Sequence, residues 1–200
     1  EKYHLNDPFY MQYLYWVRDV LTGDFGNSLR TGVPVSTLIA QKLPVTIQLA
    51  VMAMIFALLI GIPTGIMSAV KKGKAPDYAA NAIALSGVSI PNFWLGIILI
   101  MVVSVQWRLL PASGYVPLTE DPIQSLRTML MPSFVLATAL GAYLMRHTRS
   151  AMLGVLSSDY IRTAKAKGLM PRVVVLKHAL RNALMPIVTL TTLLFGELLA

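Results

Sequence analysis

The sequence predicts an all-α, polytopic transmembrane helix bundle. Three observations carry that prediction. Hydrophobic residues make up 56% of the 200 positions and charged residues only 13%, with a mean hydropathy of +0.63, whereas a soluble domain carries about a quarter charged residues. Four stretches hold no Asp, Glu, Lys or Arg: Leu43 to Val70, Tyr78 to Trp107, Thr128 to Met145 and Asn182 to Gly196. The basic residues collect in two of the segments between those stretches. The composition excludes a disordered chain, a collagen-like fibre and a water-soluble enzyme. The absence of cysteine excludes a disulfide scaffold, a thiolate zinc site and a cysteine nucleophile.

Residues 1–42 read as an extracytoplasmic segment with short amphipathic helices. Asp7-Pro8 is a helix start, an N-cap followed by proline at the first position. Phe9, Tyr13, Trp16, Val17, Val20 and Leu21 then recur at helical spacing, and Gly23-Asp24-Phe25-Gly26 ends the helix. The aromatics suit a membrane interface; packing and ligand stacking are the other readings. Pro34 to Lys42 reads as a second short helix feeding the first span.

The spans are placed at about 45–70, 79–106, 129–150 and 183–200. A bilayer core takes roughly 20 apolar helical residues, and the first two charge-free stretches hold 28 and 30. The third, with 18 residues, is near the lower limit, and the fourth, with 15, looks cut short. Gly61 and Gly65 form a GxxxG, a spacing that lets helices approach closely in lipid. Pro63 is tolerated because neighbouring helices re-satisfy freed backbone groups. Pro91 is expected to divide the second stretch into a membrane-entering part and the span proper, Asn92 to Gln106. Trp107 to Arg127 reads as an external loop, with turn signals at Pro111, Gly114, Pro117 and Pro122. Pro186 is expected to break the chain on its way into the fourth span.

Charge sets the orientation. Segments 71–77 and 146–181 hold eleven bases against two acids, Asp77 and Asp159, while the opposite side holds six of each. The positive-inside rule makes the first two segments cytoplasmic. A net charge of +8 is thereby explained without nucleic acid, whose binding gives no reason to sort charge by alternate loops. The chain begins with Glu, carries no signal peptide although residues 1–42 must lie outside, and ends in an apolar run. The expectation is a fragment lacking an N-terminal helix and the C-terminal end.

The cytoplasmic loop 154–181 is the most informative segment. Ser158-Asp159 opens a helix, Gly168 stops it, and Pro171 fits the first turn of another that runs through His178 to about Leu184. Ala164 and Ala166 are small and flank bases. Such a helix can enter a groove on a partner or rest on anionic lipid; the residues alone leave both open. His178 reads as a packing or hydrogen-bonding residue. Gln48 and Asn92 are polar groups within apolar stretches and could line a translocation path, although interhelical hydrogen bonding serves as well.

Asp159-Tyr160-Ile161-Arg162-Thr163-Ala164-Lys165-Ala166-Lys167-Gly168 resembles the cytoplasmic EAA loop of ABC-transporter permeases, and more narrowly the dipeptide/oligopeptide/nickel branch. His178 to Pro186, Gly23 to Ser28, Ser89 to Trp94, Leu110 to Tyr115 and Arg146 to Leu153 are similar to the same family, so the resemblance runs nearly end to end. Thr163, Ala164 and Lys165 stand where the general loop has Glu-Ala-Ala, a departure usual in the peptide branch. The resemblance implies a type I ABC importer permease fold in the cell inner membrane. It further implies that residues 159–168 form a coupling helix docking on a separate ATP-binding cassette subunit. Ala164 would let that helix sit deep, Gly168 would make its turn, and Asp159, Arg162, Lys165 and Lys167 would lie near the partner. A second related permease, an extracytoplasmic solute-binding protein and the lipid bilayer are the other partners implied, with di- or oligopeptides as cargo.

Hydrolysis of ATP is expected on the partner, because this chain has no G-x-x-x-x-G-K-[ST] and no G-x-S-x-G. No cofactor and no metal are expected on the chain; His4, His147 and His178 form no H-x-x-x-H pair. Nickel or another small solute is the alternative cargo. An ATP-independent channel or secondary transporter is the alternative class. An intramembrane enzyme would need convergent catalytic groups at membrane depth.

Overall fold

A computed structural model describes residues 7–199. The described residues are helices and loops, in two compact units that divide between Thr46 and Ile47. In the first unit, α1 (Phe9–Leu21) starts one residue later than the sequence suggests. Pro8 takes the cap position, and its carbonyl accepts from the Met11 and Gln12 amides. The helix closes on Gly23 at φ +86°, with the Gly23 amide bonded to the Val20 carbonyl and the Asp24 amide to that of Asp19, the paired bonds of a Schellman turn. The 22–34 loop is pinned by a bridge between Asn27 and Pro34.

The helix expected over Pro34 to Lys42 is not separate. It is the opening of α2 (Val35–Val70), an unbroken helix of 36 residues. Pro44 deprives only the Ala40 carbonyl of a donor, and Ala40 is exposed, so the helix continues through it.

In the second unit, α2 turns a seam of small residues toward α5 (Pro122–Leu156): Ala50, Ala53, Ala57, Gly61, Gly65 and Ser68 are buried. The GxxxG lies at the crossing. A Cβ on Gly61 would stand 2.8 Å from the Gly141 carbonyl oxygen, and one on Gly65 2.7 Å from that of Met145. Without a hydrophobic drive between helices in lipid, such backbone approach is what holds them.

α3 (Ala75–Ser89) packs Ala80 and Ala84 on Ala142 and Met145 of α5. The chain then bends by 97° around Pro91 into α4 (Asn92–Gln106), whose second half, Ile100–Gln106, is wound as a π-helix. Each arm is about 22 Å long at 1.5 Å per residue, short of a hydrocarbon core of about 30 Å. The division at Pro91 is therefore a real break in the span.

The external loop ends earlier than expected. Pro122 is not a turn residue but the first residue of α5, and Asp121 caps the helix by accepting from the Ile123 and Gln124 amides at 3.0 Å each. α6 (Asp159–Ala166) follows α5 after two residues. α7 (Pro171–Leu199) is a single helix of 29 residues, π-wound over Val174–Ala179. Pro186 does not break it. The proline is exposed while Ala183 and Ile187 face inward, so it removes one bond on the outer side of the helix and leaves the packed side whole.

One hydrophobic cluster joins Ala69, Met152, Ile161, Ala164, Val174, Ala179, Ala183 and Ile187. It brings the ends of α2 and α5 to α6 and the start of α7, so segments 71–77 and 157–170 share one end of the unit, as the charge sorting requires.

Candidate functional site

The site is the surface built by α6. Ser158 is extended before the helix and its hydroxyl donates to the Val155 carbonyl at 2.6 Å rather than capping α6; its carbonyl accepts the first helical bonds from Ile161 and Arg162. At the other end, Gly168 adopts φ +77°. The Leu169 amide reaches the Ala164 carbonyl and the Gly168 amide that of Lys165, a second Schellman turn. The helix therefore has the limits that Asp159 and Gly168 suggested.

Its two faces are distinct. Ile161 and Ala164 are buried in this chain's own cluster, at 0% and 8% exposure. Asp159, Tyr160, Arg162, Thr163, Lys165, Ala166, Lys167 and Gly168 are exposed. Ala164 is covered by this chain, where its small side chain lets α6 lie close on the protein beneath it. The outer face carries Arg162, Lys165 and Lys167. The 3.4 Å pair between Arg162 and Asp159 is fully hydrated and fixes little. Tyr160 ties the helix sideways, its hydroxyl accepting from the Asn182 amide at 2.6 Å and donating to the His178 carbonyl at 3.4 Å. Only the backbone carbonyl of His178 takes part in this tie.

Gln48 and Asn92 are not brought together. Gln48 is buried and donates to Ser125 at 2.8 Å, an interhelical bond between α2 and α5. Asn92, at the start of α4, lines a cavity of about 460 Å³ with Gly96, Gly114, Thr128, Met131 and Val135.

The sequence reading passed over a polar cluster one turn from the α6 cluster. Arg149 of α5 grips Asp77 bidentately, Nε to Oδ1 and a terminal nitrogen to Oδ2, both at 2.8 Å. Ser68 of α2 donates to the same carboxylate and accepts from Arg149 Nε at 3.0 Å. The Gly73 amide and Asn81 complete the shell at 2.9 and 2.8 Å. Asp77 is 3% exposed. Its one signal in the sequence is that it is the lone acid in a segment of lysines, in the first turn of α3.

These features define a polytopic helical membrane protein that presents a short, capped, basic helix between two spans on its positively charged end. Residues 61–200 match the model of the family described as "Binding-protein-dependent transport system inner membrane component", and the chain belongs to that family. It is 49% identical over 193 residues to the oligopeptide transport system permease protein AppB of Bacillus subtilis, covering 95% of this chain and 61% of that protein. Against the dipeptide transport system permease protein DppB of Escherichia coli K12 the identity is 43% over 219 residues, covering 98% and 65%. Against a probable peptide ABC transporter permease of Sinorhizobium fredii it is 38% over 199 residues, covering 100% and 64%. The chain thus spans a little under two thirds of the length of these relatives.

Proposed function

We propose that this chain is the membrane-spanning part of a permease subunit that imports di- or oligopeptides, coupled through α6 to a separate ATP-binding cassette subunit. The observation that carries this reading is the division of α6. Ile161 and Ala164 anchor it to the bundle, while Arg162, Lys165 and Lys167 face outward at the basic end. A helix held by its own chain on one side and free on the other can receive a push from a docked protein and pass it inward. The relatives' names, all of peptide permeases, support peptide as cargo and give nickel no support. ATP is held by the partner subunit, and this chain binds no cofactor. A second related permease completes the pathway, and a solute-binding protein delivers cargo from outside.

The test uses the full-length protein in its importer, reconstituted in liposomes with labelled dipeptide, labelled oligopeptide and nickel. ATP-dependent uptake of peptide and not nickel is the expected result. Gly168→Pro forbids the left-handed turn, and Lys165→Glu with Lys167→Glu reverses the outer face. Each is expected to lower uptake at least tenfold with the permease still inserted. Unchanged uptake in both variants would remove α6 from the coupling role.

A further inference from the structure

We propose that Asp77 and Arg149 are positioning residues for transport, carrying displacement of α6 into the broken span formed by α3 and α4. This rests on the importer reading above. α6 sits on Ala69 and Met152 through Ile161 and Ala164. Ser68 precedes Ala69 in α2, and Arg149 lies one turn before Met152 in α5. Both hold the carboxylate of Asp77, which opens α3. The chain of contact therefore runs from α6 to the ends of α2 and α5, across the ion pair to α3, and along α3 to the 97° elbow at Pro91. Beyond the elbow is Asn92, on the wall of the cavity at the far end.

The geometry suits transmission rather than attachment alone. Away from the ion pair, α3 meets α5 through Ala80 and Ala84 against Ala142 and Met145. That apolar contact holds no directional bond to fix the register of one helix on the other. A bidentate guanidinium–carboxylate pair does fix it, because two parallel bonds set both distance and angle. Asp77 also accepts from Gly73, in the turn joining α2 to α3, so the turn moves with the pair. Removing the charge leaves the small-residue packing in place and takes away its registration.

The experiment is the reconstituted full-length importer, reading peptide transported per ATP hydrolysed. Asp77→Asn and Arg149→Gln are expected to lower that ratio about tenfold while ATP hydrolysis stays within about twofold of the parent. Arg149→Lys keeps the charge but not the fork and is expected to lower the ratio about threefold; it decides the matter if the other variants fail to assemble. Uptake and hydrolysis falling in equal proportion would make the pair a structural tie only and overturn the inference, as would an unchanged ratio. If the parent protein shows no ATP-dependent peptide uptake, the importer reading fails and this inference falls with it. A parent that transports, with variants whose ratio does not move, overturns this inference alone.

Discussion

Gly61 and Gly65 set the distance between α2 and α5, and the atoms facing them say what one methyl group would do. An added Cβ at either position meets backbone or Cβ atoms at 2.7 to 2.8 Å, so a helix must move. Gly61→Ala and Gly65→Ala are each expected to destabilise the bundle by about 1–3 kcal/mol. Gly154, in α5, has open space where its Cβ would be, and Gly154→Ala is expected to stabilise by about 0.5–1 kcal/mol through helix entropy. Thermal unfolding of the full-length protein in detergent checks the contrast, and equal effects at the three sites would deny the close crossing. The GxxxG was legible in the sequence because its spacing is local. The Asp77–Arg149 pair was not: its members lie 72 positions apart, and one sequence carries no record of which distant side chains meet.

Among the elements, α6 could be read before its structure because its limits are written in local chemistry: an acid in the first turn, a glycine at the stop and a proline two residues after Leu169; the Ser158 hydroxyl, which suggested a cap, bonds to the Val155 carbonyl instead. Proline elsewhere was ambiguous. It opens α5 at Pro122, divides the second span at Pro91, and lies harmlessly in α7 at Pro186. At Pro186 the ring lies off the packed face that Ala183 and Ile187 form, whereas at Pro122 a cap stands before the ring and the helix begins there. Asp121 is that cap for α5, accepting from the Ile123 and Gln124 amides of the first turn, where Pro122 has no N–H that needs a partner. Asp121→Ala is expected to cost about 1 kcal/mol and Asp121→Ser much less. Denaturation of the two variants side by side separates a cap from a merely exposed acid, for which the two losses would match.

At the scale of the whole molecule, the question is whether α3 and α4 cross the membrane as one broken span or return to the side they left. The packing decides for crossing. The end of α2 and the last turns of α5 meet in one cluster through Ala69 and Met152. At the other end, Gln48 of α2 is bonded to Ser125 in the first turn of α5. α2 and α5 are therefore parallel neighbours over most of their lengths, and residues 107–121, which lead into α5, lie at the end opposite the 71–77 turn. α3 starts at the basic end and α4 delivers the chain to the other, so the two short arms complete one crossing between them. Charge supports the same arrangement, since segment 107–121 holds one base, Arg108, against Glu120 and Asp121. The described chain has no cysteine to interfere with labelling. In a full-length protein made cysteine-free elsewhere, Thr119→Cys is expected to react with an impermeant maleimide added to intact cells. Ala166→Cys, on the outer face of α6, is expected to react only after the membrane is opened. Protection of both cysteines in intact cells would make the bent pair re-entrant and deny that α5 crosses the membrane.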